Sequence, residues 1–287
     1  MTAARSPLAI TGSTGRVGGR VARRLSEFGV AHRLVVRDHA RAPALPGTHV
    51  ATADYGAAAA VRTALTGVHT VFMVSAAETP DRVQQHLTFI DAAIDAGVQR
   101  IVYLSFFGAS PTATFTLARD HWTTEEHLRS VGVTHTILRD NLYADFTPDL
   151  LGTDGNIRGP AGEGRVAVVA QADIADVVVA VLTGDGAYDG RTLHLTGPAA
   201  LTVYEIASIL NDHLGRTVTY IPETIDEAYA SRAVYGAPPW QVDAWVSTYT
   251  AIAAGELAGV TEDIPEVTGH PATSLQQVLG ARSDVTG

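Results

Sequence analysis

The run Thr11-Gly12-Ser13-Thr14-Gly15-Arg16-Val17-Gly18 spaces three glycines as Gly-x-x-Gly-x-x-Gly. It follows the apolar stretch Leu8–Thr11 and opens a segment of helical period. That context suits a pyrophosphate. Gly12 permits a tight strand-to-helix turn, Gly15 lets backbone approach the phosphates, and Gly18 lets the helix pack closely. Amides and dipole at the helix N-terminus then favour the anion, with Ser13, Thr14, Arg16 and Val17 around it. Arg37 stands nineteen residues beyond Gly18. An acidic residue near this position would bond the ribose hydroxyls of NAD, whereas a guanidinium forks onto the 2′-phosphate of NADP. Arg41 can assist and Asp38 is a competing carboxylate, so the expected cofactor is NADPH/NADP rather than NAD. A third candidate is His121-x-x-x-Glu125. Positions i and i+4 share a helical face. A carboxylate beside an imidazole raises its pKa, so His121 can donate a proton near neutral pH with Glu125 orienting it. The same spacing also describes a solvent-facing pair.

Elements able to position these residues alternate along the first half of the chain. Strands are expected at Leu8–Thr11, Arg33–Val36, His49–Ala53, Thr70–Ser75, Ile101–Ser105 and Thr134–Leu138. Helices are expected at Arg16–Phe28, Ala57–Leu65, Asp81–Ala96 and Leu117–Ser130. On the first helix Val17, Val21 and Leu25 form the apolar face. The alternation predicts an α/β fold, a Rossmann-type doubly wound parallel sheet with helices on both faces. Leu150–Arg165 is rich in Gly and Pro and reads as a long loop. Then come a helix at Ala172–Leu182, a strand at Thr192–Thr196, a helix at Thr202–Leu214 opened by a Thr202/Glu205 capping box, and a strand at Arg216–Tyr220. Thr224 to Leu279 reads as helical. The expected division is a nucleotide-binding domain over 1–149, with 166–198 returning to it, and a small, mainly helical C-terminal lobe over 199–287.

Composition excludes several chemistries. All 20 basic residues are arginines; the chain has no lysine and no cysteine. Disulfides, thiolate nucleophiles, Cys-ligated zinc, lysine Schiff bases and a P-loop lysine are therefore absent, and no metal is expected. Net charge is −10 and the pI near 5.5, which disfavours nucleic acid and anionic lipid surfaces. Met1–Pro7 lacks the apolar stretch of a signal peptide and no apolar run is long enough to span a membrane. The expectation is a cytoplasmic protein acting on a small molecule, and a homo-oligomer is compatible with it.

Several segments together resemble a known family. They are the glycine loop, Val36-Arg37, Ala53-Asp54-Tyr55, His121-x-x-Thr124-Glu125, Leu138-Arg139-Asp140-Asn141-x-Tyr143 and Gly269-His270-Pro271-Ala272-Thr273. The chain resembles the NmrA-like branch of atypical short-chain dehydrogenases, and within it the type 2 NADPH-dependent quinone oxidoreductases, from about Leu8 to about Leu279. The resemblance implies a cofactor at the strand C-termini and a substrate between the domains. Gly12 to Val17 would cradle the pyrophosphate and Arg37 would face the 2′-phosphate. Asp54 and Tyr55 would lie near the adenine, and Val74, Ser75 and Ala76 along the ribose and nicotinamide. The family's Asn after the strand arginine is Asp140 here, and Asn141 follows as the candidate amide. Ser105 ends its strand where the family serine would lie.

A typical short-chain dehydrogenase uses Ser, Tyr and Lys; without lysine that mechanism cannot operate. Ser105, His121 and Glu125 are the catalytic candidates in its place. A quinone needs less help than a ketone, because hydride addition gives a delocalised, phenolate-like anion, and positioning with water exclusion supplies most of the catalysis. Phe106, Phe107, Trp122 and Tyr143, with Phe146, are the candidate walls for a quinone-like substrate. The leading expectation is an NADPH-dependent reductase of quinones or similar conjugated carbonyls. The alternative is a non-catalytic NADP(H)-binding redox sensor. A sugar-nucleotide epimerase shares the glycine loop but needs the missing Tyr-x-x-x-Lys.

Overall fold

A computed structural model describes residues 8–283; the segment Met1–Pro7, expected to lack a signal peptide, lies outside them. In chain order the elements are β1 (Leu8–Thr11), α1 (Arg16–Glu27), β2 (His32–Val36), β3 (Thr48–Thr52), α2 (Ala58–Leu65), β4 (Thr70–Val74), α3 (Arg82–Asp95), β5 (Arg100–Phe106), α4 (Thr116–Ser130) and β6 (Thr134–Asp140). There follow β7 (Ile157–Gly159), β8 (Arg165–Val166), α5 (Gln171–Thr183), β9 (Thr192–Leu195), β10 (Leu201–Thr202), α6 (Val203–Leu214), β11 (Tyr220–Pro222), α7 (Ile225–Arg232), α8 (Pro239–Ala253), α9 (Asp263–Thr268) and α10 (Leu275–Ser283).

The main sheet has seven strands in the order β3-β2-β1-β4-β5-β6-β9. Strand β1 pairs in parallel with β2 on one side and β4 on the other. The chain thus winds outward through β2 and β3, then returns to the far side of β1. That reversal opens a crevice at the strand C-termini. Every residue of β5 is buried, and so are Val71, Phe72 and Met73 of β4, as in a sheet covered on both faces. Helix α1 buries Val17, Val21 and Leu25, the face expected from their spacing. No helix among the described residues is long and apolar enough to cross a membrane.

The chain divides into two compact units. Within the described residues, the first runs to Ser105 and adds Asp120–Arg139 and Ile174–Leu193; the second holds Phe106–Arg119, Asp140–Asp173 and everything from His194. Each has its own core. The first is built around Val71, Met73, Phe89, Ile101 and Tyr103, the second around Phe115, Ile157, Val203, Leu210 and Tyr249.

The second unit departs from expectation in one region. The glycine-rich run Leu150–Arg165 contains strand β7, which pairs in parallel with β11. The expected strand Arg216–Tyr220 begins only at Tyr220. A Cβ at Gly159 would stand 2.4 Å from Tyr249 Cδ1, and one at Gly164 would stand 2.1 Å from the Ile252 carbonyl oxygen. These glycines admit helix α8 against the backbone, which a composition reading takes for looseness. The capping box on α6 is present, with Thr202 and Glu205 bonding reciprocally, and α7 repeats it with Thr224 and Glu227.

Candidate functional site

The crevice beside β1 is lined by residues following four strands of the first unit. Gly12 and Thr14 follow β1, and Arg37 follows β2. Asp54 and Tyr55 follow β3, and Ser75, Ala76 and Ala77 follow β4. Gly12 turns with φ +64°, and a Cβ there would stand 2.8 Å from Val74 Cβ. A Cβ on Gly18 would lie 2.4 Å from the Gly12 carbonyl oxygen, so α1 seats on the loop only without a side chain there. Gly15 is the N-cap; no side chain caps α1 and no acidic residue sits in its first turn. The Ser13 hydroxyl oxygen is buried without a hydrogen-bond partner. A buried hydroxyl beside an uncapped helix start is suited to bond an anion's oxygen atoms.

Arg37 is exposed at the crevice edge. The Asp38 carboxylate accepts the Ala40 amide at 2.9 Å, so this expected competitor is engaged in its own turn. Thr11 ties β1 to β4: its hydroxyl donates to the Phe72 carbonyl at 3.1 Å and accepts the Val74 amide at 2.9 Å. The Tyr55 hydroxyl lies 2.6 Å from both Thr11 Oγ1 and the Val74 carbonyl oxygen, and its ring stacks on Phe89 at 4.3 Å. Burial pushes the Tyr55 hydroxyl up from its ordinary pKa. Tyr55 therefore braces the crevice floor. Asp54 accepts the Gly56 amide in its own turn. Gln85 and Thr79 also line the crevice; neither carries a sequence signal.

The three catalytic candidates are buried but do not act on one another as expected. Glu125, fully buried, accepts Ser105 Oγ at 2.5 Å, takes Arg139 through both its oxygens at 2.8 and 2.6 Å, and pairs with Arg129 at 3.0 Å. Its carboxylate locks α4 to β5 and β6. It is not the orienting partner of His121, and Ser105 serves the same lock. His121 Nδ1 stands 2.9 Å from the Tyr103 hydroxyl, and its Nε2 stands 2.9 Å from Arg82 Nη2. A guanidinium only donates. Nε2 therefore accepts, and the imidazole proton sits on Nδ1. Burial, then the charge of Arg82, holds the His121 pKa well below its ordinary value. The expectation of a proton donor near neutrality is thus reversed, because the nearest charge is a cation rather than Glu125.

A second buried histidine joins this cluster. The Ala76 amide donates to His86 Nε2 at 2.8 Å, and His86 Nδ1 bonds Thr124 Oγ1 at 2.9 Å, whose own hydrogen goes to the Asp120 carbonyl at 2.8 Å. The donor order again requires neutral imidazole protonated on Nδ1. Burial, with Arg82 second, lowers the His86 pKa to about 3. Arg82 also donates through Nε to the Ala76 carbonyl at 3.2 Å and faces Asp120 at 3.6 Å. Burial raises the Asp120 pKa while Arg82 opposes the rise. Sequence reasoning missed Arg82, His86 and Tyr103. The available signal was Arg82-x-x-x-His86 on the buried face of α3, where apolar residues are the rule.

Candidates in the second unit divide. Asn141 is buried with both amide ends taken: Nδ2 donates to the Leu257 carbonyl at 3.0 Å and Oδ1 accepts the Leu142 amide at 2.8 Å. Its side chain secures backbone and is not free for a cofactor. Phe106 is core, packed edge-on to Phe115 at 4.9 Å. Phe107 is half-buried against His194 at 5.5 Å. Trp122, in the first unit, is half-buried beneath the Arg129 guanidinium at 5.7 Å. Tyr143 donates to Asp140 at 2.7 Å and, with Phe146, lines an apolar cavity of about 150 Å³. Leu150, Thr248 and Tyr249 also border a larger cavity of about 500 Å³, whose other walls include Arg158, Arg232, Tyr235 and Trp245.

A family model described as the NmrA-like family matches residues 4–233. The chain belongs to the NmrA-like family. Among curated relatives, quinone oxidoreductase 2 of Escherichia coli (strain K12) is 33% identical over 280 residues, 94% of this chain and 96% of that protein. The NAD(P)H azoreductase of Xenophilus azovorans is 30% identical over 283 residues, 97% of this chain and 98% of that protein. Among solved structures, the Escherichia coli NADPH-dependent quinone oxidoreductase complexed with NADPH superposes with a TM-score of 0.87 at 31% identity, covering 96% of this chain and 99% of that one.

Proposed function

We propose that this NmrA-like chain is an NADPH-dependent reductase that passes hydride to a quinone or similarly conjugated acceptor. The observation that carries the reading is the crevice beside β1, lined by Gly12, Thr14 and the exposed Arg37, on a loop that leads into a helix start without a side-chain cap. Relatives that match nearly the whole chain and are named as quinone and azo reductases support it.

The residues fit the dinucleotide. The Gly12–Gly15 backbone, Ser13 and the start of α1 hold the pyrophosphate. Arg37 takes the 2′-phosphate; with no lysine in the chain, an arginine must supply any such cationic contact. Val74, Ser75 and Ala76, which line the crevice at the end of β4, would lie along the ribose and nicotinamide. When bound, NADPH supplies the hydride. The chain's own residues bind, orient and exclude water. The proton that completes the hydroquinone comes from solvent, since His121 and His86 are held neutral and Tyr103 is pushed up by burial. Of the aromatic candidates for the acceptor, Tyr143 and Phe146 line an apolar cavity.

The test is oxidation of NADPH by the purified protein with a panel of small quinones, an azo dye and a saturated ketone. The expected result is turnover with the quinones, weaker or none with the ketone, and NADPH favoured over NADH. No loss of NADPH absorbance above background with any acceptor refutes the proposal.

A further inference from the structure

Both backbone polar groups of Ala76 are held by buried side chains. Its amide donates to His86 Nε2 at 2.8 Å and its carbonyl accepts Arg82 Nε at 3.2 Å. Each holder is itself held. His86 is fixed through Thr124, and Arg82 through His121 Nε2 and Asp120. His121 in turn is fixed by the Tyr103 hydroxyl on β5. All lie in the first unit. Ala76 faces the crevice beside Ser75 and Ala77. Side-chain bonds to both backbone polar groups of one loop residue are costly to arrange, since the groups involved are desolvated. Neither Arg82 nor His86 lines the crevice, so neither touches a ligand there.

We propose that Arg82, His86 and His121 are positioning residues that fix the backbone at Ala76 as a rigid wall of the cofactor site. His121 then acts through Arg82 and has no part in proton transfer. The proposal rests on the crevice being the cofactor site. It predicts that cofactor affinity depends on side chains that never meet the cofactor. His86→Leu removes the acceptor for the Ala76 amide; His86→Gln can restore one. Arg82→Lys keeps a cation near His121 and Asp120 but loses the Nε bond to the Ala76 carbonyl.

Two readouts are taken on each folded variant: hydrogen exchange of the Val74–Ala77 segment without cofactor, and NADPH affinity by titration. His86→Leu and Arg82→Lys are expected to speed exchange and weaken NADPH about tenfold, the equivalent of one net hydrogen bond. His86→Gln should recover most of that affinity. A purely structural role lowers the melting temperature and leaves the affinity of the folded fraction unchanged, and that outcome overturns the proposal. So does unchanged exchange. If His86→Leu does not fold, Arg82→Lys decides alone. Failure of the wild-type protein to bind NADPH sinks the cofactor reading, and this proposal with it, before any variant is made.

Discussion

Two buried neutral histidines should make the protein lose stability in mild acid, by an amount the structure sets. His86 and His121 are both essentially inaccessible, and both carry their proton on Nδ1 with a donor facing Nε2. Protonating Nε2 would set hydrogen against hydrogen. The folded pKa is about 3 for His86 and well below the ordinary value for His121, while an unfolded histidine titrates near 6.5. Below that pH the unfolded chain binds more protons than the folded one. Stability is therefore complete above about pH 6.5 and falls as pH drops toward about 3. Between pH 7.5 and 5.5 His86 costs about 1.4 kcal/mol, and His121 adds a loss of the same sign. That is a large share of a typical folding free energy of roughly 5–15 kcal/mol. Urea melts at half-unit pH intervals measure the slope. His121→Gln keeps an acceptor for Arg82 but removes the titrating group, so its stability should fall with about one proton fewer per molecule. A His121→Gln slope equal to wild type would mean that His121 is protonated in the folded state, and the donor order assigned here would be wrong.

The remaining expectations concern single substitutions and one profile. Arg37→Ala should weaken NADPH by about thirtyfold, roughly 2 kcal/mol for a charge-assisted pair, and leave NADH nearly unchanged; equal losses in parallel titrations would remove Arg37 from the phosphate. Gly18→Ala drives a Cβ to 2.4 Å from backbone and should cost about 3 kcal/mol in a urea melt. Gly15→Ala meets the Gly12 oxygen at 3.3 Å and should melt within about 1 kcal/mol of wild type, while NADPH titration shows at least a tenfold loss. Glu125→Gln leaves Arg139 and Ser105 facing a neutral amide in a buried site, and denaturation should show a loss of about 3–5 kcal/mol. The pH dependence of kcat with a good quinone should show no ionisation between about pH 6 and 8.

The parallel sheet was legible because its strands carry their burial in their composition. Thr70–Ser75 and Ile101–Ser105 read as apolar runs, and the first helix shows its apolar face at Val17, Val21 and Leu25. The glycine loop was legible because its local turn demands specific residues at fixed spacing. The partners of the polar cluster were not. Glu125 stands four residues from His121 and yet bonds Ser105 and Arg139, 20 and 14 residues away in sequence. Helical spacing tells which residues share a face and says nothing of what the opposing strands present. Phe106 and Phe107 show the same limit. One is core and the other half-buried, a difference set by packing around the end of β5.

The charge pattern of this cluster bears on which acceptors the protein can reduce. A lysine four residues after a tyrosine would lower the tyrosine's pKa and give the site a proton donor near neutral pH. Here the fourth position holds a carboxylate, committed to Arg139, Arg129 and Ser105. The cation comes from Arg82 on α3, which cannot release its own proton and whose charge also opposes protonation of both histidines. The Tyr103 hydroxyl is pushed up by burial and keeps its proton. His86, His121 and Tyr103 thus each hold one protonation state across neutral pH. Such a network can hold a peptide in place but cannot deliver a proton on demand. An isolated ketone, whose alkoxide must be protonated as hydride arrives, gains little from it. A quinone gains what the network does offer, since its reduced anion is stable enough to take a proton from water later. The absence of lysine therefore reaches beyond composition: it favours acceptors whose reduction needs orientation more than acid catalysis.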